Sequence, residues 1–312
     1  MLQIYHIHGA FPCRTENGPL SECITFTDYY KCFLMNNPEG SLTSLGAAGL
    51  RAAHQLLDGE PKLFADPVIL RLLDPGHIEE IKARASQFQH PETLRLRSRI
   101  ALRSRYAEDR LMLAYARGVR QYLLLGAGLD TFAWRQPEGL DGLKIFETDH
   151  PATQEQKRQR LSRAGLSIPA NCQIIGINFE TETLEEALRK SSFDLHAPCF
   201  ISWLGVTVYL SKEAVDTVFR FVSTLPKGSE LVFTFAQKRL AGSMHYTAVR
   251  AAGAGEPWVT YFRPEDLSRR LYELGFSSVH FLEPEEAWKT YYINRQDGLT
   301  RPSLASIASA II

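Results

Sequence analysis

The feature that most constrains this chain is the apolar run Gln121-Tyr122-Leu123-Leu124-Leu125, which breaks into Gly126-Ala127-Gly128-Leu129-Asp130-Thr131. A short, unbroken apolar run suits a strand buried on both faces, as in a parallel sheet flanked by helices. Two glycines directly after it let backbone approach a ligand closely, and a helix starting there would offer its free N–H groups. A tight structural turn has the same signature, so the loop alone decides nothing. The following strand, Lys144-Ile145-Phe146-Glu147-Thr148-Asp149, ends in acids, and Asp149 stands 21 residues past Gly128. A carboxylate at the end of a second strand can accept from a ribose hydroxyl. Glu147 and Asp149 share one face of the strand, and Asp149, nearer its C-terminal edge, is the favoured sugar contact.

The rest of the chain repeats that rhythm. Further strands are expected at 173–178, 199–203, 230–235, 278–282 and 290–293, with helices at 152–164, 184–190, 211–225 and 265–274 between them. Pro264 suits a first helical turn and Gly275 a helix end. Alternating strand and helix implies an α/β, doubly wound, mostly parallel seven-stranded sheet of Rossmann-like type. Before it, residues 41–73 read as helical, interrupted at Gly59 and Pro61, and a long helix follows Pro91. Residues 1–90 form an N-terminal extension and 91–312 the core.

The third position of the loop motif separates cofactors. A dinucleotide fingerprint has Gly-x-Gly-x-x-Gly, so that helix and strand pack closely over a pyrophosphate. Thr131 occupies that last place. S-adenosylmethionine has an adenosine and an amino-acid tail but no phosphate, so it tolerates the loss. Arg103 is a second clue: Leu96, Ile100, Arg103, Ala107, Leu111 and Ala114 share one helical stripe. An arginine among apolar residues is costly unless an anion pairs with it. The cofactor's carboxylate is one such partner. The competing reading is a solvated basic face, because Arg95, Arg99 and Arg103 recur every four residues.

Three stretches carry a family likeness: 103–109 (Arg-Ser-Arg-Tyr-Ala-Glu-Asp), 121–135 (from Gln121 through Gly-Ala-Gly-Leu-Asp-Thr to Arg135) and 146–151 (Phe-Glu-Thr-Asp-His-Pro). With Thr43, Arg51-Ala52 and Leu63-Phe64-Ala65-Asp66-Pro67, they resemble the leucine carboxyl methyltransferase family. These are class I S-adenosylmethionine-dependent methyltransferases, among them phosphatase-methylating enzymes and bacterial relatives acting on polyketide carboxylates. The resemblance spans about residues 43–281. It implies Arg103 on the cofactor carboxylate, Gly126 beside its amino-acid portion, Asp149 on the ribose, and a helical cap from the N-terminal third closing over the cofactor. Ala127, Gly128 and Asp130 complete the cradle. Two positions depart from the family pattern. Asn178-Phe179 replaces Asp-Leu at the adenine, where asparagine can still bond the base edge and phenylalanine can cover the ring. Leu204 replaces the glutamate that usually ends the fourth strand.

The expected activity is O-methylation of a small-molecule carboxylic acid. A carboxylate nucleophile needs no base, whereas a hydroxyl usually does. No base is evident; His245 and Tyr209 are the catalytic candidates. Trp203, Tyr209, Trp258, Tyr261 and Arg263 are candidates for an aromatic acceptor pocket holding one cation. A non-catalytic S-adenosylmethionine binder and a nicotinamide-dependent oxidoreductase are the alternatives, the latter disfavoured by the missing third glycine and the lack of a Tyr-x-x-x-Lys pair. Lysine plus arginine equals aspartate plus glutamate, 35 against 35, so no nucleic-acid or membrane partner is expected. Five cysteines without CxxC spacing and no signal-peptide pattern point to free thiols in a reducing cytoplasm. His6, His8, Cys13 and Cys23 match no zinc spacing, and no metal is expected.

Overall fold

The structure, a computed structural model, describes residues 41–237, 246–253 and 255–312. His245 and the group His6, His8, Cys13 and Cys23 lie outside them. Among the described residues five helices precede the sheet: α1 (Leu42–Leu57), α2 (Ile69–Leu72), α3 (Pro75–Ala83), α4 (Ala85–Phe88) and α5 (Pro91–Ala116). Then come β1 (Gln121–Leu125), β2 (Lys144–Asp149), α6 (Pro151–Arg163), β3 (Cys172–Gly176), α7 (Leu184–Arg189) and β4 (Phe200–Trp203). The chain continues with α8 (Lys212–Ser223), β5 (Glu230–Thr234), α9 (Tyr246–Gly253), α10 (Pro264–Glu273), β6 (Ser278–Phe281), α11 (Pro284–Ala287) and β7 (Ile307–Ile311). No helix among the described residues is long and apolar enough to cross a membrane.

One seven-stranded sheet runs in the order β3-β2-β1-β4-β5-β7-β6. Alternate residues of each strand feed different layers, as the pleat requires. Tyr122, Leu124, Ile145, Phe200 and Val232 pack with Leu102, Tyr106 and Leu111 of α5. Leu123, Phe146, Ile201, Leu231 and Phe233 pack with Val218 and Phe219 of α8 and Leu267 of α10. A third cluster joins α1, α2 and α3 to Leu96 and Ile100 of α5. The stripe read from the sequence is therefore the inner face of α5.

Three expectations need correction. The sheet is mixed rather than mostly parallel: β7 pairs antiparallel with both β5 and β6, which it separates. Residues 290–293 are not a strand, because a π-helical turn, Trp288–Tyr292, continues α11. Consecutive strand residues would point to opposite faces. Here neighbouring tyrosines both reach α5, Tyr291 donating to Asp109 at 3.0 Å and the Tyr292 hydroxyl meeting Ser98 at 2.8 Å. Lastly, no α-helix follows the glycine loop; a single 3-10 turn, Phe132–Trp134, stands there. Asp130 folds back to accept from Phe132 N at 2.8 Å, and Thr131 Oγ1 donates to Asp66 at 2.6 Å. Those bonds commit the loop to a turn before a helix can propagate.

Candidate active site

The C-terminal ends of β1, β2, β4 and β5 face a cavity of about 1490 Å³, lined also by α1 and α5. Ligands of open α/β sheets bind at this edge. Gly126 and Gly128 adopt φ values of 65° and 52°, a left-handed conformation that other residues resist. Neither has room for a side chain: a β-carbon on Gly126 would collide with Val206, and one on Gly128 with the Ser44 hydroxyl of α1. The loop is thus pressed against its surroundings while its other side lines the cavity.

Several buried bonds hold the loop. Arg51 of α1 donates to the Leu129 carbonyl at 2.5 Å and pairs with Asp66 at 3.0 Å. Arg135 donates to Thr131 Oγ1 at 2.9 Å and forks onto Glu108. The Ala127 amide donates to the Thr148 carbonyl at 3.0 Å. Asp149 accepts from the amide of Gly128 at 2.6 Å and from that of His150 at 2.7 Å. Burial raises the Asp149 carboxyl above the usual aspartate value, and these two amides oppose the rise. Glu147 points away from the cavity into a buried pair with Lys157 at 2.5 Å, so of the two acids only Asp149 lines the site.

Arg103 borders the cavity from α5, its guanidinium filling the space a β-carbon on Gly205 would need. Burial brings its pKa down to about 10; the Tyr209 ring and Asp130 oppose that, while the Arg99 and Arg51 guanidiniums reinforce it. An anion bound at Arg103 would offset the cost of burying its charge. Arg95, by contrast, is exposed and paired with Glu92 at 2.6 Å. All three arginines of the series border the cavity, but Arg95 is exposed at its rim while Arg99 and Arg103 are half-buried.

Asp130, Asn178 and Phe179 also line the cavity. Asn178 Oδ1 accepts from the Glu180 amide at 3.0 Å, which shapes the turn after β3. Tyr209 and Trp258 line the cavity too. Burial raises the Tyr209 pKa above the ordinary tyrosine value, with the Trp258 and Thr43 side chains opposing the rise, so its hydroxyl stays protonated at neutral pH.

The other acceptor candidates are not brought to the cavity. Trp203 is fully buried on the far face of β4, edge-on to Phe219 at 5.7 Å, because strand alternation turns Ser202 toward the cavity instead. Tyr261 is exposed and packs by its ring on Trp258 at 6.2 Å. Arg263 is a solvent-exposed residue paired with Asp266 at 2.7 Å at the start of α10.

Sequence reading missed Glu256. Its carboxylate accepts from the Leu42 amide at 2.9 Å and from the hydroxyls of Ser41 and Thr43, tying the start of α1 to the segment after α9. An isolated acid in a loop, more than 200 positions from its partners, leaves no local pattern to read. The 300–306 segment was missed for the same reason. It lines the cavity because β7 runs backwards and brings its N-terminal end to the binding edge.

A sequence model described as leucine carboxyl methyltransferase matches residues 44–223. YktD of Bacillus subtilis (strain 168), assigned as an S-adenosyl-L-methionine-dependent methyltransferase, is 31% identical over 293 residues, covering 85% of this chain and 96% of that protein. A Mycobacterium sp. (strain JLS) protein with the same assignment is 31% identical over 208 residues, covering 67% of this chain and 60% of its own length. A solved structure from Thermobifida fusca YX, described as a methyltransferase, overlays with a TM-score of 0.51 at 19% identity, covering 85% of this chain and 93% of that one, and shares its fold. The family match covers most of α1, the glycine loop, Arg103 and Asp149, and the chain belongs to the leucine carboxyl methyltransferase family.

Proposed function

We propose that this protein is an S-adenosylmethionine-dependent O-methyltransferase that esterifies a carboxylate of a small molecule. The observation that carries the cofactor is the cavity edge where Arg103, the Gly126–Gly128 cradle and Asp149 meet without a helix behind the loop. A pyrophosphate would call for the N-terminus of such a helix. A ligand with a carboxylate at one end, a ribose in the middle and no phosphate does not. In this reading Arg103 grips the cofactor carboxylate with two parallel bonds, Asp149 accepts from the ribose, and Asn178 with Phe179 meets the adenine. Helix α1, latched by Glu256, acts as the cap.

When bound, the cofactor supplies a sulfonium methyl, which the acceptor oxygen displaces. The chain's own contribution is to hold that oxygen close and keep water out. The acceptor reading is supported by the want of a histidine or an ionised tyrosine placed as a base away from Asp149 among the described residues. Among the described residues the cavity holds one histidine, His150, beside Asp149 at the sugar end. Tyr209 is a proton donor in its buried setting. A carboxylate needs neither.

Calorimetric titration with S-adenosylmethionine and with NAD tests the cofactor, followed by transfer of label from methyl-labelled cofactor to carboxylic acids. Binding of the first alone, with base-labile label in the acid, is the expected result. Tight NAD binding overturns the cofactor reading. Cofactor binding with label passed only to alcohols or amines overturns the acceptor reading.

A further inference from the structure

We propose that Asn178 reads the adenine of the cofactor as a hydrogen-bond donor, giving its side-chain N–H to ring nitrogen N1, so that the chain selects for that nitrogen and is indifferent to the 6-amino group. This rests on the S-adenosylmethionine reading above and concerns one residue of the same site. The leucine carboxyl methyltransferase pattern has an aspartate at this place, and an ionised carboxylate can only accept. On the Watson–Crick edge of adenine the 6-amino group donates and ring nitrogen N1 accepts. An acid therefore meets the amine, whereas a donor at the same place meets the ring nitrogen.

The turn after β3 leaves Asn178 one group to offer. Its backbone amide donates to Glu182 Oε2 at 2.9 Å. Its backbone carbonyl accepts from the amides of Thr181 at 3.0 Å and Glu182 at 2.9 Å. Its side-chain oxygen, Oδ1, accepts from the Glu180 amide at 3.0 Å. A backbone N–H can be met only by the oxygen end of a side-chain amide, so this bond also fixes which end is which. Among the described residues Nδ2 has no partner, and its two N–H groups are what Asn178 has left for the cavity that it lines.

Neighbouring elements hold the turn in place. The Glu180 carboxylate accepts from the amide and the hydroxyl of Ser211, which caps α8, at 2.8 and 2.9 Å. The Ile177 amide donates to the Asp149 carbonyl at 2.8 Å, tying the turn to the residue read as the ribose contact. Phe179 lines the cavity next to Asn178, its ring 6.5 Å from that of Trp203. Turning Oδ1 to the ligand would exchange a bond within the turn for one outside it. Presenting Nδ2 adds a bond and breaks none, so the donor is the end that the ligand meets.

The test titrates the full chain, by calorimetry, with S-adenosylhomocysteine, with its 1-deaza analogue, which lacks the acceptor, and with its 6-deamino analogue, which lacks the amine. The parent chain should hold the 1-deaza analogue about three- to tenfold more weakly than S-adenosylhomocysteine, the scale of one net hydrogen bond, and the 6-deamino analogue equally well. Asn178→Asp keeps an oxygen for the Glu180 amide, and so the turn, but offers the base an acceptor. In that variant the order should reverse, the 6-deamino analogue becoming the weaker ligand. Asn178→Ala, with neither group, should level the three, and thermal unfolding checks each fold. A purely structural role would weaken all three ligands in proportion. If the parent chain binds the 1-deaza analogue as tightly as S-adenosylhomocysteine, if loss of the amine weakens binding as much as loss of the ring nitrogen, or if Asn178→Asp leaves the order unchanged, the proposal falls while the cofactor reading stands. If S-adenosylhomocysteine itself does not bind, the cofactor reading falls first.

Discussion

The guanidinium of Arg103 occupies the volume that a β-carbon on Gly205 would fill. Gly205 also sits at φ 79°, so a side chain there meets both a backbone penalty and a steric one. Gly205→Ala should therefore displace Arg103 without touching its charge. The expected result is a tenfold or greater loss of S-adenosylhomocysteine affinity by calorimetry. Unchanged affinity in a folded variant would show that the guanidinium has another route to its ligand.

Direct variants at Arg103 form a graded series. Lysine keeps the charge but loses the fork, so Arg103→Lys should impair cofactor binding less than Arg103→Leu. Arg95→Leu, at an exposed pair, should do nothing measurable. The pKa of about 10 adds a pH signature. Binding a carboxylate needs the protonated guanidinium, so affinity should be level near neutrality and fall as pH rises through 10. Equal, small effects at positions 95 and 103 would return Arg103 to a solvated face.

Asp149→Ala should weaken cofactor binding by about 1.5–3 kcal/mol, the scale of a hydrogen bond to a charged group. Its raised pKa gives the opposite pH limb. Acidification protonates this carboxyl earlier than an ordinary aspartate, so affinity should decline as pH drops, starting above the usual aspartate range. In Asp149→Asn that limb should vanish. Its persistence would assign the titration to another group.

Glu256→Gln keeps the shape of the latch at α1 but removes the charge that three donors share. Ser41, the N-cap of α1, keeps its own bond to the Ser44 amide, so the cost is that of weakened bonds to a charged group, about 1 kcal/mol. Hydrogen exchange should accelerate at residues 42–45 and, through Ser44, around Gly128, more than in the sheet. Uniform protection across α1 in the variant would show that the helix is held by its packing alone.

Lys157 and Glu147 form a pair with both side chains fully buried. Removing one partner strands a charge in the interior, so Lys157→Met should cost about 3–5 kcal/mol in urea unfolding. Lys157→Met with Glu147→Leu should recover most of it. A single variant as stable as the parent would mean that Glu147 takes up a proton at little cost.

Much of this was readable in advance where one physical rule dominated. The β1 run is buried on both faces, the glycines need left-handed backbone, and the α5 stripe follows the helical period. Where partners lie far apart in sequence, the text was silent. Trp203 looked like a pocket residue because aromatic content was weighed without the strand's alternation, which turns Ser202 to the cavity. The strand β7 hid in Ile307-Ala308-Ser309-Ala310-Ile311, whose small residues have weak strand preference and are chosen for close packing between two neighbours. The two tyrosines at 291 and 292 looked strand-like by composition, but their hydroxyls, bound to Asp109 and Ser98, decide their winding.

The placement of β7 also sets an order of events. β5 has only β4 on one side until β7 arrives on the other, and β6 touches the sheet only through β7. A nascent chain that has emerged as far as residue 300 can assemble β1 to β5 but leaves β5 as a raw edge. The cavity would then lack the 300–306 segment, which Ser98 of α5 holds by its bond to the Thr300 carbonyl. The sheet edge and the cavity wall are thus completed by one consecutive stretch, 300–311, and a ribosome-stalled chain lacking it would hold the glycine loop beside an unfinished cavity.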